Sequence, residues 1–275
     1  MSAHPPKSET TAPASALPIS ATVICKNEEA CIGACLSSLE GLKEIIVVDS
    51  GSTDRTLAII EDHRRRGLPI RLIPQPWLGY AAQKQFALDQ ATEPWVLSID
   101  ADEWLDADLR AELKRLVAAD ATVAGWKLRR TLTLYGRLEP VSLWTRPEII
   151  LRLVRRGRAR FDDSLLVHEG LIADGETRIA AKGLLRHERG LPLDEQMRKE
   201  IVYARLKAEQ RLESGRKPSR LKLLVNPPIY FLRIFFWNRF FLCGWAGVIH
   251  AATGATYSFM TEAMHRQLYH ARKRR

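Results

Sequence analysis

The first hundred residues alternate between short apolar runs and segments of helical period four times, and this alternation constrains the fold more than any other feature. Ile19–Cys25 reads as an extended run, followed by polar Lys26-Asn27-Glu28-Glu29. Cys31, Ile32, Cys35, Leu36 and Leu39 then recur at helical spacing. Ile45–Val48 is a continuous apolar run of the kind a strand buried on both faces shows, and Asp49-Ser50-Gly51-Ser52-Thr53-Asp54 forms a loop. Asp54 is placed to cap a helix ending near Gly67. "PIRLIPQ", "GYAAQKQFALDQA" and "PWVLSID" complete the series as strand, helix and strand. Such alternation predicts an α/β fold with a mostly parallel sheet and helices on both faces. Ligands of such sheets bind at the carboxyl ends of the strands, where both Asp49 and Asp100 fall.

Two acidic loops at one sheet edge raise the question of chemistry. In "SIDADEW", Asp100 and Asp102 alternate around Ala101, so extended geometry would aim both carboxylates to one side. Two carboxylates converging without a basic neighbour repel unless a cation or solvent compensates. Mg²⁺ or Mn²⁺ fits that need, because these ions take oxygen ligands and share them with substrate phosphates. A solvated turn is the equal alternative on spacing alone, since Asp106 and Asp108 also open the next helix favourably. Neither a GxxxxGK[ST] loop nor a GxGxxG fingerprint is present, so phosphate-cradling of those kinds is excluded.

After "DADLRAELKRLVAA", a helix, the pattern turns β-like and basic through "GWKLRRTLTLYGRL", "EIILRLVRRGRARF" and "TRIAAKGLLRHE". The arginines of "LRLVRRGRAR" either solvate a strand face or hold phosphate on an acceptor. A charged helix runs from Pro192 to about Gly215. The formal net charge of +10 points to a polyanionic partner without choosing one. Cys25, Cys31, Cys35 and Cys243 form no zinc pattern and read as reduced packing residues.

The ordered set "VICKNEEACIGACLSSL", "EIIVVDSGSTDRT", "WLGYAAQKQFAL" and "WVLSIDADEWL" resembles the family 2 glycosyltransferases, which have the GT-A nucleotide-sugar fold. More narrowly it is similar to the branch that adds glucose to heptose in the lipopolysaccharide inner core. "LWTRPEIILRLVRR" and "LLVHEG" extend the resemblance over residues 19–190. It implies an inverting transferase with a nucleotide diphosphate sugar as donor, UDP-glucose being the expected one, and a divalent cation, Mg²⁺ or Mn²⁺, on the diphosphate. Asn27, Glu28 and Asp49 would line the nucleoside pocket and Lys84 would lie near the donor. Asp100-Ala101-Asp102 matches the DxD motif, with Asp102 the direct metal ligand. His187 in "LLRHER" matches a late histidine that often completes the metal shell, a plain strand-end histidine being the alternative. Glu169 in "VHEG" matches the family's acidic base, which takes the acceptor proton, with Asp162 and Asp163 as rivals. One departure concerns the nucleotide: many members read Asp-Asp-Gly-Ser where this chain has Asp49-Ser50-Gly51-Ser52.

Residues 1–17 read as a disordered tail without the apolar core of a signal peptide, 18–190 as the GT-A domain and 191–275 as a helical, aromatic-rich segment. Phe240–Met260 carries no Lys, Arg, Asp or Glu, which by length permits a membrane span. His250, three glycines and several Thr and Ser argue instead for an interfacial or re-entrant helical pair, with Pro227-Pro228 breaking the run before it. The aromatics, embedded arginines and basic tail suit an anionic membrane surface, with packing on the domain or on a second subunit as the alternative. A cytoplasmic enzyme on the inner face of the membrane follows, acting on a lipid-linked glycan and not on nucleic acid. A nucleotidyltransferase would need a Gly-rich basic loop after the first strand, which "VICKNEEAC" lacks. A non-catalytic polyanion-binding module leaves Asp49, Asp100 and Asp102 without a reason.

Overall fold

The computed structural model describes residues 16–118, 122–134, 145–162, 170–189 and 193–274. The opening alternation is realised as β1 (Leu17–Cys25), α1 (Ile32–Ser38), β2 (Leu42–Asp49), α2 (Thr56–Arg65), β3 (Ile70–Pro74), α3 (Tyr80–Asp89) and β4 (Trp95–Ser98). The side-chain period of two along a strand divides these residues between two cores. In β2, Ile45 and Val47 join a core that contains Ile32 and Leu36 of α1 and Ile60 of α2. Ile46 and Val48 join the opposite one, with Ala87 and Leu88 of α3. Helices on both faces therefore follow from strands apolar on both faces.

The remaining strands are β5 (Glu103–Leu105), β6 (Val123–Leu134), β7 (Glu148–Arg155), β8 (Ala159–Phe161), β9 (Leu171–Ala173), β10 (Glu176–Ile179) and β11 (Leu185–Arg189). The large sheet runs β3-β2-β1-β4-β7-β6-β11-β5, with β10 beside β6. The β3-β2-β1-β4 half is parallel, and β7 joins it antiparallel. Glu103–Leu105 forms a strand where the sequence suggested only a turn into a helix, because it pairs antiparallel with β11 across 80 residues of chain. That pairing sets His187 opposite Glu103, within reach of the Asp100–Asp102 turn.

Helix α4 (Ala107–Val117) shows how this edge is held. Asp106 is its N-cap and accepts from the Leu109 amide at 2.8 Å, with Asp108 in the first turn. At the other end the indole N–H groups of Trp126 and Trp95 donate to the carbonyls of Leu116 and Val117. The last turn of a helix leaves its carbonyls without the usual i+4 donor, and the two indoles reach these two, Leu116 also accepting from the Ala118 amide. Gly183, just before β11, has φ +80°, and a Cβ there would come within 2.2 Å of the Leu109 backbone. Only glycine lets the chain cross the start of α4 and deliver β11 to the sheet edge.

The C-terminal segment comprises α5 (Leu193–Glu213), α6 (Arg220–Leu232), a π-helical turn at Arg233–Trp237, a 3-10 turn at Phe240–Cys243 and α7 (Gly244–Arg274). Here one expectation fails: Pro227 and Pro228 lie inside α6 and do not break it. Two prolines remove two N–H donors, yet their φ of about −65° is helical, and α6 is braced along its length. Asn226 donates to Glu262 of α7 at 2.8 Å, and Glu262 also accepts from Arg211 of α5 at 2.9 Å, so one buried carboxylate ties three helices. Among the described residues no helix is long and apolar enough to cross a membrane. None of the four cysteines forms a disulfide among the described residues.

Candidate active site

The loops after β1 and β2 are stitched together. Asn27 adopts φ 56°, a left-handed conformation that Asn tolerates, and its side-chain oxygen accepts from the Thr53 amide at 2.8 Å. Its own amide donates to Ser52 Oγ at 3.0 Å. Asp54 accepts from the amides of Thr56 and Glu29, but the N-cap of α2 is Arg55, so Asp54 stands one residue ahead of the cap position the sequence suggested for it. Asp49 is buried and its carboxylate accepts from the amides of Gly51 and Ser52 and from the Ser52 hydroxyl. Asp49 thus shapes its own loop.

Asp100 and Asp102 do not share a side. β4 stops at Ser98 and a turn follows at residues 101–102, so extended alternation does not hold. Nor does Asp100 lack basic neighbours. Lys84 Nζ lies 2.8 Å from Asp100 Oδ1 and Arg152 Nη2 lies 2.6 Å from Oδ2. Burial alone would raise the Asp100 pKa, but Arg152 and then Lys84 outweigh it and hold the carboxyl well below the usual range. Arg152 also donates to Glu103 at 2.8 Å, Glu103 accepts from Arg130 at 2.9 Å, and Arg130 pairs with Glu148 at 2.6 Å. Glu103 Oε2 accepts the Asp100 amide at 3.1 Å, which fixes the turn itself. Arg152 therefore neither solvates a strand face nor reaches outward. It is the buried counter-ion of the turn, and its pKa rises because Asp100 and Glu103 outweigh the burial that would lower it.

Asp102 faces the other way, with 33% of its side chain accessible, and meets His187 Nε2 at 3.0 Å. His187 is buried on β11, and its Nδ1 has no hydrogen-bond partner among the described residues. The accessible Asp102 carboxylate is the oxygen donor that Mn²⁺ or Mg²⁺ takes, and the buried His187 nitrogen behind it is a donor better suited to Mn²⁺ than to Mg²⁺. Among the described residues no group of three or more His, Cys, Asp or Glu comes together. Two protein donors with the remaining positions left to water and phosphate oxygens is how such ions are commonly held. The chemistry of the pair thus fits the expected cation. Ala101, between the two aspartates, is buried at the turn.

Glu28 completes the acidic side. Burial first, and the charge of Asp102 second, push its carboxyl up to about 7, against a downward pull from Lys199 of α5. Its pKa in the unfolded chain is about 4.5, so between 4.5 and 7 the folded state holds the extra proton. Stability therefore falls as pH rises through that window. Glu28→Gln should have a melting temperature close to wild type at pH 4.5 and above it at pH 8. A difference that does not change with pH would remove Glu28 from the electrostatic field of Asp102.

Asp163 and Glu169, the sequence's candidates for the base, lie outside the described residues. Asp162 is described, half-buried at the end of β8, with its amide donating to the Gly170 carbonyl at 3.1 Å. Sequence reasoning gave Glu103 and Arg130 no role and offered Arg152 only strand-face solvation or an acceptor phosphate. The signal was present in "EIILRLVR": an arginine inside an apolar strand needs a buried carboxylate. It also missed Gln83, fully buried on α3, which donates to Ser50 Oγ at 3.0 Å and accepts from the Leu78 amide at 3.2 Å.

A parallel half that ends in acidic turns, joined to a mixed half that returns a histidine to the same edge, is the arrangement of the GT-A fold. The chain belongs to glycosyl transferase family 2, whose family model matches residues 20–161. It is 49% identical to the lipopolysaccharide core biosynthesis glycosyltransferase LpsC of Rhizobium meliloti (strain 1021), over 90% of this chain and 91% of that protein. An uncharacterized glycosyltransferase of Rickettsia felis (strain ATCC VR-1525 / URRWXCal2) is 30% identical over 90% of this chain and 89% of that protein. Among solved structures, the mannosyltransferase PcManGT from Pyrobaculum calidifontis in complex with GDP-Man and Mn²⁺ is 18% identical. It aligns with a TM-score of 0.49 over 96% of this chain and 79% of that one.

Proposed function

We propose that this glycosyltransferase acts in lipopolysaccharide core biosynthesis, moving glucose with inversion from UDP-glucose to an inner-core heptose. The acceptor class rests on the 49% identity to LpsC and on the resemblance of the motifs. The observation that carries the donor half is the Asp102–His187 pair at the end of β4, beside an Asp100 already neutralised by Lys84 and Arg152. Asp102 and His187 would hold Mg²⁺ or Mn²⁺. When bound, that ion would supply charge neutralisation for the departing diphosphate. Lys84 and Arg152 keep Asp100 ionised and the turn rigid, so that Asp102 is presented in one geometry. The base that takes the acceptor proton is Glu169, as the resemblance implies, with Asp163 the alternative. Calorimetry of UDP with and without Mn²⁺ tests this reading: binding should need the ion in wild type and be lost in Asp102→Asn. Equal binding without the ion would sink the metal assignment, and GDP and dTDP would show whether another nucleotide is used.

The C-terminal helices support membrane docking for a lipid-linked acceptor. Trp245 is 82% exposed, Leu224 is 73% exposed, and Leu221, Phe236 and Trp237 of the same segment are open as well. Arg220, Lys222, Arg233 and Arg239 lie along the same segment, and the chain ends in Arg272-Lys273-Arg274-Arg275. Apolar rings at headgroup depth with basic residues on lipid phosphate make a peripheral contact on the cytoplasmic face. Flotation with phosphatidylglycerol vesicles checks this: wild type should float, and the double change Trp237→Ser with Trp245→Ser should release it. Flotation of the double variant at wild-type level would exclude this face as the lipid contact.

A further inference from the structure

We propose that Trp77, braced by Tyr80, is the stacking platform for the nucleobase of the donor. The site assumed is the donor site proposed above. Both side chains are 46% exposed, and their rings meet edge-to-face with centroids 4.8 Å apart. Exposed aromatics usually sit on mobile or unspecialised surface, yet this loop is fastened at each end to the acidic loops. The Gln75 amide donates to the Asp49 carbonyl at 2.9 Å. Buried Gln83 reaches across to Ser50 Oγ, to the Gln75 carbonyl and to the Leu78 amide. Its neighbour Lys84 holds Asp100. Gly79, at φ +96°, makes the turn that lifts residues 77 and 78 out of this frame before α3 begins. A rigid loop that presents an indole to solvent beside a ligand site has lost side-chain entropy in advance of binding.

The sheet order says which part of the donor arrives there. The Asp100–Asp102 turn follows β4, and the Trp77 loop follows β3, with β1 and β2 between them. Three strand steps of about 4.8 Å separate the two loops by about 14 Å along the sheet edge. With the diphosphate at Asp102, an extended nucleotide crossing the ends of β1 and β2 puts its base at the β3 end. The loop after β1, Lys26-Asn27-Glu28-Glu29, holds no aromatic residue, whereas the loop after β3 carries the indole at position 77. Ser50, standing where many relatives have a second aspartate, is taken by Gln83. Recognition of the base in this chain then relies on stacking more than on a carboxylate.

The test is calorimetry on the intact protein with UDP and with inorganic pyrophosphate, each with Mn²⁺, in wild type, Trp77→Ala and Trp77→Phe. Loss of one base–aromatic stack should raise the Kd for UDP roughly tenfold in Trp77→Ala. Pyrophosphate affinity should stay at the wild-type value, and Trp77→Phe should keep most of the UDP affinity. In turnover, KM for the donor should rise with kcat unchanged. Unchanged UDP affinity with a raised KM for the acceptor would assign the pair to the acceptor sugar and overturn the proposal. An equal loss for UDP and pyrophosphate would show a purely structural role and also overturn it. Failure of wild type to bind UDP, GDP or dTDP would instead refute the donor site itself, and the stacking proposal with it.

Discussion

Asp102→Asn is expected to lower sugar transfer by about a thousandfold while leaving the fold intact. The amide can still accept from or donate to His187, so the contact at 3.0 Å survives in outline. What it cannot supply is the negative charge that holds a divalent cation against a diphosphate. Removing a single group that stabilises developing charge typically costs two to three orders of magnitude in kcat, about 3–4 kcal/mol. Asp102 is a third exposed and lies outside the Arg152 network, so the melting temperature should move by no more than a few degrees. Asp100→Asn makes the informative contrast. Its carboxylate is committed to Lys84 and Arg152, so its loss should appear mainly as reduced stability, with a smaller direct effect on cation affinity. Single-turnover assays across a Mn²⁺ titration separate the two. If Asp102→Asn transferred sugar at the wild-type rate, neither the cation nor this turn could be the centre of the reaction.

The largest stability effect is expected at Arg152. Replacing it with Met keeps the bulk but leaves Asp100 and the fully buried Glu103 facing each other with one cation fewer. Breaking a buried ion pair from one side costs about 3–5 kcal/mol, because the remaining charge has no solvent to return to. Urea unfolding of Arg152→Met should show a loss of that size. Adding Glu103→Gln should recover part of it, since the second change removes one of two carboxylates left with a single cation each, Glu103 with Arg130 and Asp100 with Lys84. A loss under about 1 kcal/mol, within the range of exposed pairs, would mean that water reaches the network. The Asp100–Asp102 turn depends on the same network, because Glu103 also accepts the Asp100 amide. Arg152→Met should therefore weaken donor binding even where the protein remains folded.

Much of this was legible in one dimension, and for a definite reason. Strands apolar on both faces, such as Ile45–Val48, dictate a covered parallel sheet, and a covered parallel sheet puts its loops at one edge. The position of Asp49 and of Asp100 at that edge followed from run lengths alone. Helix α4 was legible to its cap, because Asp106 acts on an amide three residues away. By contrast, the direction in which each aspartate points was not legible. Extended alternation would put Asp100 and Asp102 together, but a turn intervenes, and each carboxylate follows the partner that the tertiary structure brings to it. The continuity of α6 through Pro227-Pro228 was equally hidden, since its bracing comes from Glu262, 36 residues away from Asn226.

The sequence by itself determined the alternating architecture, the sheet edge where ligands meet the chain, and through its motifs the family. Those properties depend on near neighbours and on periodicity, which the order of residues states directly. Only the tertiary structure decided that Arg152 neutralises Asp100, that His187 faces Asp102, and that Gln83, next to the Trp77 loop, bonds to Ser50 at the same edge. Each of these joins residues 33 to 85 positions apart. A buried charge or an exposed ring acquires its role from what surrounds it in space, where solvent is excluded or a ligand must fit.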